Sequence, residues 1–179
     1  MDPVPPPIPV NRAPVLTLWA TVVAERLGYA PDTVLTLGRA VCSASARTKA
    51  RRLGIINDAQ QAAERNATGA ALKPRVQTVR PLGRDIPMLP AADGTLRADD
   101  GGKRASAKSA QSYIVRAFGD QLVEARAAME ALAALLPPEE LNRVGFRLYE
   151  RFRPDVPDGA QGWGTKEELR VERIVGAAG

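Results

Sequence analysis

Residues 14–53, PVLTLWATVVAERLGYAPDTVLTLGRAVCSASARTKARRL, decide the fold of this 179-residue chain. Val15, Leu18, Trp19, Val22, Val23 and Leu27 recur at helical spacing and predict a first helix with one broad apolar face. Asn11 stands where it can cap that helix, and Pro14 falls in its first turn, where proline is tolerated. Gly28 suits the left-handed residue that follows a helix end. Pro31 and Asp32 open a second helix, in which Val34, Leu37, Val41 and Cys42 form the buried stripe. Gly54 stops it after Arg47, Lys49, Arg51 and Arg52, a cluster with no acidic residue among its members.

Working outward, residues 1–12 read as a proline-rich flexible arm, with five prolines in the first ten positions. Residues 13–72 form an N-terminal helical part, ending in a short polar helix from Ile55 to Leu72. Residues 73–108 break any helical period and read as a proline- and glycine-rich linker or hairpin. Within it Asp93-Gly94 separates IPML from TLRA, which fits a small β-hairpin whose Pro87 and Pro90 confine its strands to an edge. Residues 109–179 are a C-terminal helical part. A helix entering near Ser109 breaks at Gly119-Asp120, and Leu122, Met129, Leu132, Ala133 and Leu136 continue the apolar period. Pro138-Glu139-Glu140 starts a further helix with negative charge at its N-terminus, and Leu141, Val144, Leu148, Tyr149 and Phe152 face its core. Trp163, between Gly162 and Gly164, reads as an anchor that pins the C-terminal segment, with a ligand contact as the alternative, and Thr165 to Glu168 spell a capping box for a last short helix. The fold expected is mainly α, a single multi-helix domain carrying a small β-hairpin and the N-terminal arm.

Composition narrows the function classes. The chain has no histidine and one cysteine, so zinc sites and Cys/His nucleophilic pairs cannot be assembled within it. No nucleophile–base pairing is visible, and neither enzyme activity, a cofactor nor a metal is expected. No apolar run approaches the roughly 20 residues of a membrane helix, and the N-terminus does not read as a signal peptide, so the expected compartment is the cytoplasm. The net charge of +5 is uneven: residues 1–110 hold 16 basic and 9 acidic side chains, the rest 9 and 11. A basic first part points to an anionic partner, or simply to a solvated charged face.

Across residues 20–39 the pattern resembles the helix-turn-helix of bacterial transcription regulators. Ala24 takes the place of the small residue at the crossing, Gly28 that of the turn, and Val34 and Leu37 those of the buried anchors. The resemblance implies duplex DNA as partner, with Thr36 and Arg39 as outward contacts. Arg47, Lys49, Arg51 and Arg52 add phosphate contacts, continued by Lys73, Arg75, Arg80 and Arg84. Three longer blocks, APVLTLWATVVAERLGY, PPEEL leading into LYERFRPDVP, and GWG, resemble a group of uncharacterised bacterial proteins. That likeness implies one folded domain and transfers no activity. The competing reading of residues 14–53 is an antiparallel helical hairpin packed on the C-terminal helices. Under that reading the protein is a helical interaction or scaffold protein, a homodimer joined through the alanine-rich faces of residues 120–136.

Overall fold

Eleven consecutive residues of the first helix, Pro14 to Ala24, are buried. The computed structural model describes residues 6–54, 77–90, 96–100, 103–104, 106–156 and 167–178. The expected polar helix of residues 55–72, the Asp93-Gly94 turn, Trp163 and Thr165 lie outside them. In chain order the elements are β1 (Ile8–Pro9), α1 (Arg12–Arg26), α2 (Pro31–Arg52), β2 (Gln77–Val79), β3 (Ile86–Pro90), β4 (Leu96–Asp100), β5 (Lys103–Arg104), α3 (Ala107–Phe118), α4 (Leu122–Ala134), α5 (Pro138–Phe152), β6 (Glu168–Leu169) and α6 (Val171–Val175). The fold is mainly α with small antiparallel β elements.

The sequence predicted one apolar face for α1; the structure instead encloses it on every side, as a helix at the centre of a domain must be. Two threonines survive there because each satisfies its own hydroxyl. Thr17 Oγ1 donates to the Ala13 carbonyl at 2.9 Å and Thr21 Oγ1 to the Thr17 carbonyl at 2.7 Å. Asn11 occupies the N-cap position without a side-chain cap bond, and its Oδ1 accepts from the Glu167 amide. Trp19 is fully buried; its Nε1–H donates to the Gly145 carbonyl of α5 at 2.8 Å, and its ring meets Phe152 edge-on at 5.4 Å. α4 turns Ala125, Ala128, Met129, Leu132 and Ala133 inward, packing on α1 and α6. As expected, the chain breaks between α3 and α4, where Gly119 has φ +57°.

Gly28, at φ +92°, reverses the chain so that α2 folds back along α1. The two axes approach at Gly38, where an added Cβ would overlap Thr21 Oγ1 and lie 2.5 Å from the Thr17 carbonyl. Ala24 had been assigned that role from the helix-turn-helix pattern, whereas the contact falls further from the turn. The opposite side of α2 carries the sheet, ordered β2-β3-β4-β5 and antiparallel throughout.

The hairpin strands pair as expected, Met88 with Ala98 and Pro90 with Leu96, but β3 is an interior strand rather than an edge. Its prolines are tolerated because the pairing is staggered. β2 covers Ile86 to Met88 and β4 covers Met88 to Pro90, so Pro87 and Pro90 each have a strand on one side only. Residues 73–108 therefore include a sheet that packs on α2, not only a linker.

Residues 6–12 of the expected arm are likewise part of the body. β1 pairs with β6, and Ile8 and Val10 are buried. Glu168 belongs to that strand pair instead of closing a capping box on the last helix, which begins at Val171. Asp155 ties these ends together: its carboxylate pairs with Arg12 and Arg173, each at 3.0 Å, and its backbone bridges Glu168. Hydrogen bonds from Arg173, and then from Arg12, hold the Asp155 carboxyl below its ordinary 3.8.

Two predictions follow from this packing. Gly38→Ala gains roughly 1 kcal/mol of helix propensity, but the added methyl meets backbone, and overpacking of this kind costs about 1–3 kcal/mol. Net destabilisation in urea unfolding is expected, and a more stable variant would contradict the close approach. Because folding depresses the Asp155 pKa, its contribution is present above the ordinary value of 3.8 and disappears as pH falls through the folded value. Asp155→Asn should therefore lower stability near neutrality by about 0.5–1 kcal/mol, the scale of exposed ion pairs. The difference should vanish in acid, and an unchanged difference there would exclude the carboxylate as its source.

Candidate nucleic-acid interface

The residues expected to contact DNA fall into two groups separated along α2. Thr36 is fully buried. Its hydroxyl donates to the Thr33 carbonyl at 2.7 Å and accepts from the Ala98 amide of β4 at 3.1 Å. Thr33 reinforces the same seam, donating to the Leu96 carbonyl at 2.7 Å. These hydroxyls fasten α2 to the sheet, and the side of the helix that a recognition helix would offer to a groove is covered by β4. Arg39 is partly buried, with its guanidinium 4.7 Å from the centroid of the Tyr113 ring on α3. Thr36 and Arg39 thus do not join the basic cluster. The first half of α2 is one arm of a hairpin between α1 and the sheet, and the helix-turn-helix assignment of Thr36 as an outward contact is corrected on that ground.

The second half is different. α2 has 22 residues and α1 has 15. Their register is fixed where Gly38 meets Thr17 and Thr21 and where Cys42 Sγ lies 3.5 Å from the Ala13 carbonyl. Cys42 is thus opposite the first turn of α1, and the last turns of α2 run on from it by about 15 Å at 1.5 Å per residue. Lys49 and Arg52 are exposed on this overhang and Arg47 is half-buried. Arg51 belongs to the same helix, but its side chain lies outside the described residues. Leu53, just beyond, is 64% exposed.

No carboxylate among the described residues pairs with Arg47, Lys49 or Arg52. The ion-paired acids among the described residues are engaged elsewhere: Glu25 and Glu130 with Arg126, Asp85 with Arg80, Asp155 and Glu167 with Arg12, Glu140 with Arg143, and Glu172 with Arg170. A further cation is drawn toward the overhang. Arg84 Nη1 donates to Thr48 Oγ1 at 3.4 Å while its guanidinium sits 5.2 Å from the Phe146 ring centroid. Of the expected continuation, Arg84 thus adjoins the cluster and Arg80 is paired with Asp85, while Lys73 and Arg75 lie outside the described residues. The cations also complement the negative end of the α2 dipole, a structural benefit of about 0.3–1 kcal/mol each at an exposed helix end.

This surface can hold an anion through charge and hydrogen-bond donors. Among the described residues no group of three or more His, Cys, Asp or Glu side chains is placed to bind a metal, and no helix is long and apolar enough to cross a membrane. The sequence reading missed a second basic surface, on α3, where Lys108 and Arg116 share a hollow with Ser109, Ser112 and Tyr113. Its signal was present in the four-residue spacing of Lys108, Ser112 and Arg116, which places them on one helical face. Comparison of the chain with protein-family models, with curated proteins and with solved structures found no match.

Thr36→Val tests the structural role of the seam. It keeps the shape but leaves the Ala98 amide unpaired, so a loss of about 1–3 kcal/mol is expected. No loss of stability would place the threonine outside the seam.

Proposed function

We propose that this is a non-enzymatic protein that binds duplex DNA through the phosphate backbone, using Arg47, Lys49 and Arg52 with Arg84 alongside. The observation that carries the reading is the overhanging end of α2, where these cations stand without a described carboxylate partner. Phosphate contacts of this kind supply affinity and positioning without reading sequence. With Thr36 enclosed, base recognition through the first half of α2 forms no part of the proposal.

The test is fluorescence anisotropy with a short duplex at several salt concentrations. Four phosphates neutralised give a log–log slope of about −3.6, and Arg47→Ala/Lys49→Ala/Arg52→Ala should reduce it to about −0.9. Scrambling the duplex sequence should change little. Absence of binding at low salt, or a triple variant that binds like the parent, would refute the proposal.

Self-association is the second reading, favoured by the outer side of α4. Ala125, Ala128 and Ala133 are consumed in the core, so the alanine face as a whole is not available for pairing. The outer side instead exposes Val123 at 79% and Leu135 at 63%, with Ala127, Ala131 and Ala134 between them. Sedimentation should then show a dimer that Val123→Glu/Leu135→Glu dissociates. A strict monomer at high concentration would remove this reading.

A further inference from the structure

The turn Pro81–Gly83 has a backbone that a leucine does not adopt unaided. Leu82 has φ +53°, and among the described residues it alone, other than glycines, lies in the left-handed region. Such a residue persists only where its surroundings fix it, and positions of this kind gather at functional sites. Here α5 does the fixing, from three positions on one helical face. Asn142 Oδ1 accepts from the Leu82 amide at 2.7 Å, and Asn142 Nδ2 donates to the Arg80 carbonyl at 3.0 Å. The buried Leu82 side chain fills the space above Gly145, where an added Cβ would overlap Leu82 Cδ2. The Phe146 ring centroid lies 5.2 Å from the Arg84 guanidinium.

This latch determines where one cation stands. The Arg84 amide donates to the Pro81 carbonyl at 3.0 Å, closing the turn, and Arg84 Nη1 reaches Thr48 Oγ1 at 3.4 Å. Thr48 falls between Arg47 and Lys49 and one helical turn before Arg52, so Arg84 is set among like charges. Asp85, its neighbour in the chain, would be the electrostatically easier partner, yet that carboxylate is bound to Arg80 at 3.3 Å. Crowding like charges works against folding. A polyanion laid across them benefits, because a cation already oriented loses less freedom on binding. We infer that Asn142 is a positioning residue for the DNA surface proposed above, holding Arg84 at the end of α2 so that two elements present one phosphate-binding face. The inference rests on that reading and adds to it a residue of α5 that acts through Arg84 and carries no charge of its own.

The test is a double-mutant cycle read by fluorescence anisotropy, with the full chain and a short duplex at several salt concentrations. Arg84→Ala should weaken binding about tenfold at low salt, the scale of one charge-assisted contact. It should also lower the log–log slope by about 0.9, the share of one phosphate. Asn142→Ala keeps every charge, yet should weaken binding at least about threefold, because Arg84 then samples orientations turned away from α2. In the Arg84→Ala background the same substitution should have no further effect. An asparagine with a structural role alone would lower affinity equally in both backgrounds or in neither. Phe146→Leu removes the ring and keeps an apolar side chain; it should behave as Asn142→Ala does, and it serves if that variant does not fold. Absence of binding by the parent would refute the DNA reading and this inference with it. Parent binding that Arg84→Ala or Asn142→Ala leaves unchanged, or a loss from Asn142→Ala that persists in full without Arg84, would overturn the positioning role alone.

Discussion

The enclosure of α1 is the constraint on which the rest of the structure depends. A helix buried from Pro14 to Ala24 needs a neighbour on every side, and a chain with 4% aromatic residues has few large side chains with which to fill the gaps. The solution is close approach through small residues. Gly38 lets α2 lie against the threonines of α1, Gly145 accepts the Trp19 indole N–H, and alanines of α4 close another side. Trp19 and Phe152 then fill the widest part of the interior. Segments far apart in the sequence are recruited as well, since Ile8 and Leu169 are buried and Asp155 clamps Arg12 and Arg173.

That constraint divides α2. Its first half is consumed by packing, with α1 on one side and β4 on the other, and its hydroxyls are spent on the seam with the sheet. Its last turns outrun α1 and carry cations that the fold leaves without described carboxylate partners. The surface proposed to bind DNA is accordingly the end of the helix instead of its middle.

Much of the helical plan was legible because the signals are local. Gly28, Gly119, Pro138 and the Arg153-Pro154 stop mark element ends through backbone geometry alone, and the IPML and TLRA strands carry their own pattern. What periodicity could not show is what covers each face. A helix-turn-helix and an antiparallel hairpin both require a small residue, a turn glycine and buried apolar anchors, so Val34 and Leu37 serve either equally. Only the distant β4 strand, bonded to Thr33 and Thr36, separates the two. The same long-range dependence hid the docking of the proline-rich arm, because the partner of Ile8 lies at Leu169. The staggered register that admits Pro87 to an interior strand was illegible for the same reason.

The exposed end of α2, not its enclosed first half, is the surface proposed to bind DNA. Hydrogen–deuterium exchange of the backbone amides, compared with and without a short duplex at low salt, tests it most directly. Added protection is expected only at residues 47–53 and in the neighbourhood of Arg84, with residues 32–37 slow to exchange in both states. Protection appearing at residues 32–37 on adding the duplex, with none at the helix end, would contradict it.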